Sequence, residues 1–303
     1  MDEILTGITG IAVGIGIGYT VMEIGSYLYS RYDPAACIST KIRNGKGEFE
    51  PVIKIPKRKH GMIISDNSDK RIEEIDKNTI DLVYNTLLKR GFNYDDIYLM
   101  EWMEKPSIDL RCNILPSDTA HLREVMENLY RQISPEDTFF MCFLNHGGKT
   151  GWLLPVGEST VQLGKGTVKE RELEELLYDI HPDHSILYFN NCYSGGFAER
   201  LGTGRSIAIS TSSANKLTFG YKGGELGCKY GDFLSGFTLF FYSALRNQMP
   251  NGELLQLKDM SIGEAFDYAS QRSYFAKGFK RRGFFKNTPH LIYGNVNPQE
   301  VIL

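Results

Sequence analysis

The sequence predicts an α/β protein with a mostly parallel sheet of six strands and helices on both faces. Short apolar segments rich in β-branched or aromatic residues alternate with longer segments whose apolar residues recur at helical spacing. Such alternation is typical of a parallel sheet covered on both sides. Two of the apolar segments lead into a histidine and a cysteine, each with glycines nearby, at the strand ends where parallel sheets bind their ligands.

The individual elements follow from these periodicities. The predicted strands are 62–64, 97–100, 139–144, 186–189, 206–210 and 290–293. The predicted helices are 72–88, 118–129, 170–178, 233–245 and 262–274, with a hairpin near 152–155. Together they predict one globular domain at residues 60–303.

Composition excludes several classes of protein. The chain has 303 residues, and its formal net charge of -3 gives no basic excess for binding nucleic acid. Its cysteines are Cys37, Cys112, Cys142, Cys192 and Cys228. They are odd in number and form no Cys-x-x-Cys pair, so we expect neither a disulfide framework nor a zinc knuckle. We expect no metal and no cofactor.

Residues 4–28 are predicted to cross a membrane as a helix, with residues 1–30 as the anchor. At about 1.5 Å per residue the segment can span a hydrocarbon core of about 30 Å. Acidic residues precede it and basic residues follow it, so the positive-inside rule predicts a single-pass protein with its C-terminal bulk in the cytoplasm. A cleaved signal peptide or a buried helix is the alternative; a signal peptide would make the chain secreted or luminal.

Glycines recur at every fourth position within this apolar segment, at Gly10, Gly14 and Gly18. Small residues at this spacing let two membrane helices approach closely, so one interpretation is a homodimer. The other is that glycine is simply frequent in membrane spans. Residues 31–59, which contain prolines, glycines and a basic cluster, are predicted to be a linker.

His146 and Cys192 follow two of the predicted strands and are the candidate catalytic pair. A thiol becomes a strong nucleophile once it loses its proton, and a neighbouring imidazole can accept that proton. The helix onset after Cys192 is expected to favour the thiolate as well. The N–H groups of Gly147 and Cys192 are expected to stabilise the oxyanion that forms during acyl transfer.

Two other interpretations of these residues fail on spacing. His181, His184 and Cys192 would need a fourth ligand to form a closed zinc site, and none has a fitting spacing. The Gly-Lys-Thr at 148–150 mimics the end of a phosphate-binding loop. That motif requires a glycine where the chain has Phe143, inside a strand, so a nucleotide site is excluded.

The His-Gly-Gly at 146–148 and the Asn-Cys-Tyr-Ser-Gly at 191–195 resemble motifs of the caspase clan of cysteine peptidases. The legumain-like branch, which includes asparaginyl endopeptidases and the catalytic subunit of the GPI transamidase, is the most similar over residues 60–245. The resemblance implies a caspase-like sheet flanked by helices and a Cys-His dyad without a metal. It assigns Cys192 as the nucleophile, His146 as the base and Gly147 as an oxyanion donor.

The resemblance also implies a set of substrate-binding residues. It assigns Asp232 to the pocket for the P1 side chain, and residues 210–215, with Thr211 among them, to the substrate-binding wall. Asn190 stands where legumains carry a pocket glutamate, and Arg71 is near the position of their pocket arginine without matching its spacing. Asp232 with Arg71 would suit Asn or Asp at P1, whereas Asp232 alone would suit Lys or Arg. Asp232 is also placed to cap the helix that follows.

The sequence thus predicts a membrane-anchored cysteine endopeptidase that cleaves peptides or proteins through an acyl-enzyme. A transamidase or peptide ligase would use the same dyad, so the sequence leaves that alternative open. A catalytically silent caspase-like scaffold at a membrane is the third interpretation. The intact pair of motifs speaks against it.

Overall fold

The computed structural model describes residues 39–43, 49–53, 57–65, 73–101, 111–150, 157–218, 233–257, 259–275 and 289–303. The chain divides into two compact units between Lys57 and Arg58. Within the described residues, no helix combines the length and the apolar character needed to span a bilayer. The predicted span at 4–28 and the predicted hairpin at 152–155 lie outside those residues.

The predicted linker contains two short strands. β1 (Ser39–Arg43) and β2 (Phe49–Ile53) pair in antiparallel fashion. Pro51, one of the prolines that indicated a linker, lies within β2. A two-stranded sheet consists only of edge strands, where the missing N–H of a proline is tolerated.

The larger unit alternates strands with helices, which confirms the α/β class. Its strands are β3 (Lys59–Ser65), β4 (Ile97–Glu101), β5 (Asn113–Pro116), β6 (Thr138–Leu144), β7 (Gly147–Lys149), β8 (Ser159–Gln162), β9 (Thr167–Lys169), β10 (His184–Phe189), β11 (Ser206–Ser210) and β12 (His290–Tyr293). Its described α-helices are α1 (Glu73–Lys89), α2 (Thr119–Gln132), α3 (Glu170–Leu177), α4 (Gly195–Leu201), α5 (Gly236–Arg246) and α6 (Ile262–Phe275).

The central sheet has seven described strands, one more than the sequence predicts. Their order is β12-β11-β10-β6-β3-β4-β5, and every neighbouring pair is parallel except β11 with β12. The strand that the sequence missed is β5, which has four residues and ends in Pro116. A segment this short and partly exposed carries too little periodicity to predict a strand, and its edge position makes the proline acceptable.

Two hydrophobic cores hold the end of β10 from opposite sides. Helices α1, α5 and α6 cover one face of the sheet, and α2, α3 and α4 cover the other. The Tyr188 ring stacks 5.4 Å from Phe241 of α5, and the next residue, Phe189, stacks 5.1 Å from Phe197 of α4. Truncating such buried rings typically costs about 3–5 kcal/mol. This packing therefore fixes the position of the residues that follow the strand.

Helix α5 begins three residues later than predicted, at Gly236. Ser235 caps it, because its Oγ accepts a hydrogen bond from the Thr238 N–H at 3.0 Å. The interpretation of Asp232 as the cap of this helix is therefore wrong.

Candidate active site

The register of β6 and β10 brings two strand ends together. The two strands are neighbours and parallel, with Phe143 directly opposite Phe189. His146 follows Phe143 by three residues, and Cys192 follows Phe189 by three residues. Because each residue follows its paired phenylalanine by the same number of positions, both side chains lie at the same edge of the sheet, at the carboxyl ends of the strands.

A cavity of about 160 Å³ lies at this edge, and both His146 and Cys192 line it. His146 is exposed, whereas Cys192 is partly buried. The structure thus brings together, around one cavity, the imidazole and the thiol that the sequence placed on separate strands. The arrangement offers a nucleophile and a proton acceptor to a molecule that enters the cavity.

Gly147 approaches the backbone of Cys192 too closely for any side chain. A Cβ added at Gly147 would lie 2.1 Å from the carbonyl oxygen of Cys192 and 2.7 Å from Nδ2 of Asn191. Because Gly147 directly follows His146 and opens β7, this contact joins the histidine segment to the cysteine turn. Glycine is required here by the close approach of two backbone segments.

The thiol of Cys192 contacts the backbone of Thr218. The Thr218 N–H donates to Sγ at 3.4 Å, and Sγ lies 3.9 Å from the Thr218 carbonyl oxygen. Burial raises the pKa of the Cys192 thiol above its ordinary value, and the hydrogen bond from Thr218 lowers it by less. Burial therefore favours the protonated form of the resting thiol.

Hydrogen bonds from the segment after β11 hold the cysteine turn in place. Tyr193 has a φ of 61°, in the left-handed region that bulky residues rarely adopt, and its N–H donates to the Lys216 carbonyl at 2.8 Å. The Ser194 N–H donates to Ser212 Oγ at 3.2 Å, and that hydroxyl donates to the Asn191 carbonyl at 3.1 Å. The strained turn is thus stabilised by partners on a neighbouring segment.

The raised pKa predicts how Cys192 reacts with iodoacetamide. We expect alkylation to be slow at pH 7 and to rise by about tenfold per pH unit while the pH is below the raised pKa of the thiol, because the thiolate fraction rises at that rate there. The measurement is peptide mapping by mass spectrometry after timed exposure. Cys112 is the internal reference, because burial and the charge of Glu101 raise its pKa to about 11. An alkylation rate of Cys192 that levels off below pH 8 would contradict the raised pKa of its thiol.

The structure places only some of the predicted substrate-binding residues near the cavity. Asn190 lines the cavity and is 2% exposed, and neither Oδ1 nor Nδ2 of its amide has a hydrogen-bond partner among the described residues. Thr211 is fully buried and does not line the cavity. Its Oγ1 lies 3.0 Å from Oγ1 of Thr218, the residue whose backbone contacts the Cys192 thiol. Asp232 and Arg71 lie outside the described residues, so their pocket roles stay predictions.

Sequence reasoning missed Asp76, which lines the cavity from the first turns of α1 and is 1% exposed. The sequence did carry a signal. Asp76 lies four residues before Ile80 and seven before Val83, both fully buried, so it occupies the core-facing stripe of the helix. A carboxylate is rarely buried on the core-facing side of a helix, so its presence there indicates a specific role.

Two histidines away from the cavity, His60 and His121, lie beside carboxylates of the fold. His60, on β3, is fully buried with its Nε2 3.5 Å from Asp137 Oδ2, at the opposite end of the sheet. His121 lies 2.9 Å from Asp118, the N-cap of α2. Among the residues with described positions, no three His, Cys, Asp or Glu side chains converge as they would around a metal ion.

Comparisons with known proteins agree with this fold. The chain is similar to a solved structure, the protein GSU0716 from Geobacter sulfurreducens, with 12% identity and a TM-score of 0.54. The match covers 82% of this chain and 97% of that one, and at this identity it supports the fold alone. None of the curated protein sequences matches significantly.

The sequence profile of the Peptidase C13 family, a family of cysteine peptidases, matches residues 112–274. The matched region is more than half of the chain and contains β6 and β10 with the residues that follow them. It therefore includes His146 and Cys192. On this evidence the chain belongs to the Peptidase C13 family.

Proposed function

We propose that the protein is a cysteine endopeptidase in which Cys192 is the nucleophile and His146 the base. The observation that carries the proposal is the cavity that these two side chains line together. The close approach of Gly147 to Cys192 supports it as well, because backbone N–H groups near the nucleophile can bind an oxyanion.

In the proposed reaction, Sγ of Cys192 attacks the carbonyl carbon of the scissile peptide bond. Because burial favours the protonated thiol, its proton passes to the His146 imidazole as the carbon–sulfur bond forms. The N–H groups of Gly147 and Cys192 stabilise the oxyanion. His146 then protonates the departing amine, which leaves a thioester on Cys192. Water attacks the thioester and releases the carboxylate, and the thiol regains its proton.

The function is tested by digesting a mixed peptide library with the purified full-length protein. We expect new carboxyl and amino termini in equal amounts, identified by mass spectrometry, and we expect alkylation of Cys192 beforehand to prevent their formation. A protein that leaves every peptide intact, or that cleaves equally well after Cys192 is alkylated, would contradict the proposal.

A transamidase is the second candidate, and membership of the C13 family supports it as well as it supports a peptidase. The thioester on Cys192 would then be attacked by an amine in place of water. Adding a primary amine such as glycinamide to the digest separates the two. Products that carry the amine in most molecules indicate transfer, and free carboxylates indicate hydrolysis.

The membrane tether at residues 4–28, and with it a homodimer through Gly10, Gly14 and Gly18, stays a prediction from the sequence. We expect the full chain to sediment with membranes and to resist extraction at high pH. A chain that lacks residues 1–30 should appear in the supernatant. If the full chain is released by alkaline extraction, the tether is wrong.

A further inference from the structure

The imidazole of His146 has no partner among the described residues that would orient it. No hydrogen bond or ion pair joins this ring to another described residue, and the side chain is exposed. A histidine that acts as a catalytic base is commonly held in place by a third group. The position of this imidazole therefore depends on how the backbone of His146 is held.

The backbone of His146 is bound to β8 by one hydrogen bond. The Gln162 N–H donates to the His146 carbonyl at 2.9 Å. In a regular antiparallel ladder the two residues of such a pair exchange both bonds, so the His146 N–H would donate to the Gln162 carbonyl in return. That return bond is absent from the backbone hydrogen bonds of the described residues, and the pairing of β7 with β8 begins one residue later, at Gly147 opposite Val161. His146 thus has half of the usual ladder contact.

The side chain of Asn145 supplies the bond that the ladder lacks. Its Nδ2 donates to the Gln162 carbonyl oxygen at 2.6 Å. Asn145 directly follows β6 and is 8% exposed, so this hydrogen bond is shielded from water, where such bonds are stronger. Two consecutive residues therefore bind the backbone of Gln162, Asn145 through its side chain and His146 through its carbonyl.

We infer that Asn145 is a positioning residue, which holds His146 in place for catalysis by joining the histidine segment to β8 through the Gln162 carbonyl. The inference rests on the proposed peptidase function. His146 moves a proton from the thiol to the departing amine, so its distance from both groups decides the rate. A displacement of about 1 Å among reacting groups commonly lowers that rate by about 100-fold.

The oxyanion donor next to His146 is held by other contacts. Gly147 pairs with Val161 in the ladder of β7 and β8, and it lies against the backbone of Cys192. Neither contact involves the side chain of Asn145. The loss of that side chain is therefore expected to act on His146 alone.

The kinetic test compares Asn145→Ala and Asn145→Leu with the wild type. Alanine removes the donor and most of the side chain, whereas leucine removes the donor and keeps nearly the same volume. We expect both variants to lower kcat for peptide cleavage by about 10–100-fold and to change KM by less than about threefold. A loss of kcat below about threefold in both variants, or a loss that lies in KM, would overturn the inference.

Asn113 provides the matched control. Its Nδ2 also donates to a backbone carbonyl, that of Asp95 at 2.9 Å, but it lies on the edge strand β5 and does not line the cavity. Asn113→Ala should therefore cleave peptides with the kcat and KM of the wild type. An equal loss of kcat in Asn113→Ala and Asn145→Ala would overturn the inference, because the loss would then follow from removing any such bond.

A double-mutant cycle shows whether Asn145 acts through His146. A protein that already carries His146→Ala has no imidazole to position, so adding Asn145→Ala should lower its kcat/KM by no more than about twofold. The residual cleavage is measured over long incubations at high enzyme concentration. A further loss of about tenfold in the His146→Ala protein would show that Asn145 acts on another part of the molecule, and would overturn the inference.

Amide hydrogen exchange tests the contact without any turnover, and so separates it from the function. In Asn145→Ala the Gln162 N–H should exchange about fivefold faster than in the wild type, because the pairing of Gln162 with His146 opens more often. Faster exchange in a protein whose wild type cleaves no peptide would contradict the peptidase and leave the positioning contact standing. Unchanged exchange at Gln162 would overturn the inference even if the wild type cleaves peptides.

Discussion

Replacement of Cys192 by alanine is expected to lower kcat/KM for peptide cleavage by at least about 10⁴-fold, because no thioester can form without the sulfur. Replacement of His146 by alanine is expected to lower it by about 10²–10⁴-fold, the usual contribution of a general base. Burial raises the pKa of the Cys192 thiol, so in the proposed reaction the loss of His146 removes the group that accepts its proton. The double variant should resemble Cys192→Ala alone, since the two residues act as a unit.

Matched controls for these variants lie elsewhere in the same fold. Cys112 and His121 are a thiol and an imidazole outside the cavity, and Cys112→Ala and His121→Ala should cleave peptides at the rate of the wild type. Thermal unfolding of each variant shows whether it is folded. If Cys192→Ala or His146→Ala retains the wild-type rate, the catalytic assignment is wrong.

Replacement of Gly147 by alanine is expected to lower kcat by about 100-fold, although alanine adds only a methyl group. That methyl would lie 2.1 Å from the Cys192 carbonyl oxygen, so the histidine segment and the cysteine turn must move apart. A displacement of about 1 Å among reacting groups commonly costs about that factor. The rate is measured on a peptide that the wild type cleaves, at substrate concentrations above KM.

Gly148 provides the adjacent control for this prediction. A Cβ at Gly148 would lie 3.1 Å from Oγ1 of Thr160, a side-chain atom that can rotate away, so Gly148→Ala should lose little activity. Equal activities of the two alanine variants would contradict the role assigned to the contact between Gly147 and Cys192. Iodoacetamide labelling of Cys192 in both variants shows that the thiol remains accessible.

The elements of the fold that could be predicted are those with strong periodicity. The apolar segments that became β6 and β10 are continuous and buried on both faces, and α2 buries one clear stripe. Parallel strands end at the same edge of a sheet. The sequence therefore predicted that His146 and Cys192, which follow two such strands, lie at one edge. The pairing of β6 directly with β10 had to come from the structure.

The features that could not be predicted depend on contacts between distant segments. Thr218 reaches the Cys192 thiol because the chain after β11 folds back over the cysteine turn, and nothing in its local sequence signals that path. Asp76 is near the cavity because α1 packs with its first turns at the sheet edge. The seventh strand, β5, is defined by its partner β4 more than by its own residues.

The burial of the thiol links the fold to the chemistry. A cysteine that is held under a neighbouring backbone segment has a raised pKa and reacts slowly with water-soluble oxidants and alkylating agents. In the proposed reaction, activation depends on a substrate whose carbonyl carbon reaches Sγ while His146 is in position to take the proton.

The central claim, that Cys192 forms a thioester with its substrate, is tested most directly by trapping that species. Full-length protein mixed with a cleavable peptide, quenched in acid within milliseconds to seconds and digested, should yield a peptide containing Cys192 that carries the mass of the acyl half of the substrate. Hydroxylamine should remove this mass. An adduct on another residue, or cleavage that proceeds with no adduct on Cys192 at any quench time, would contradict the account.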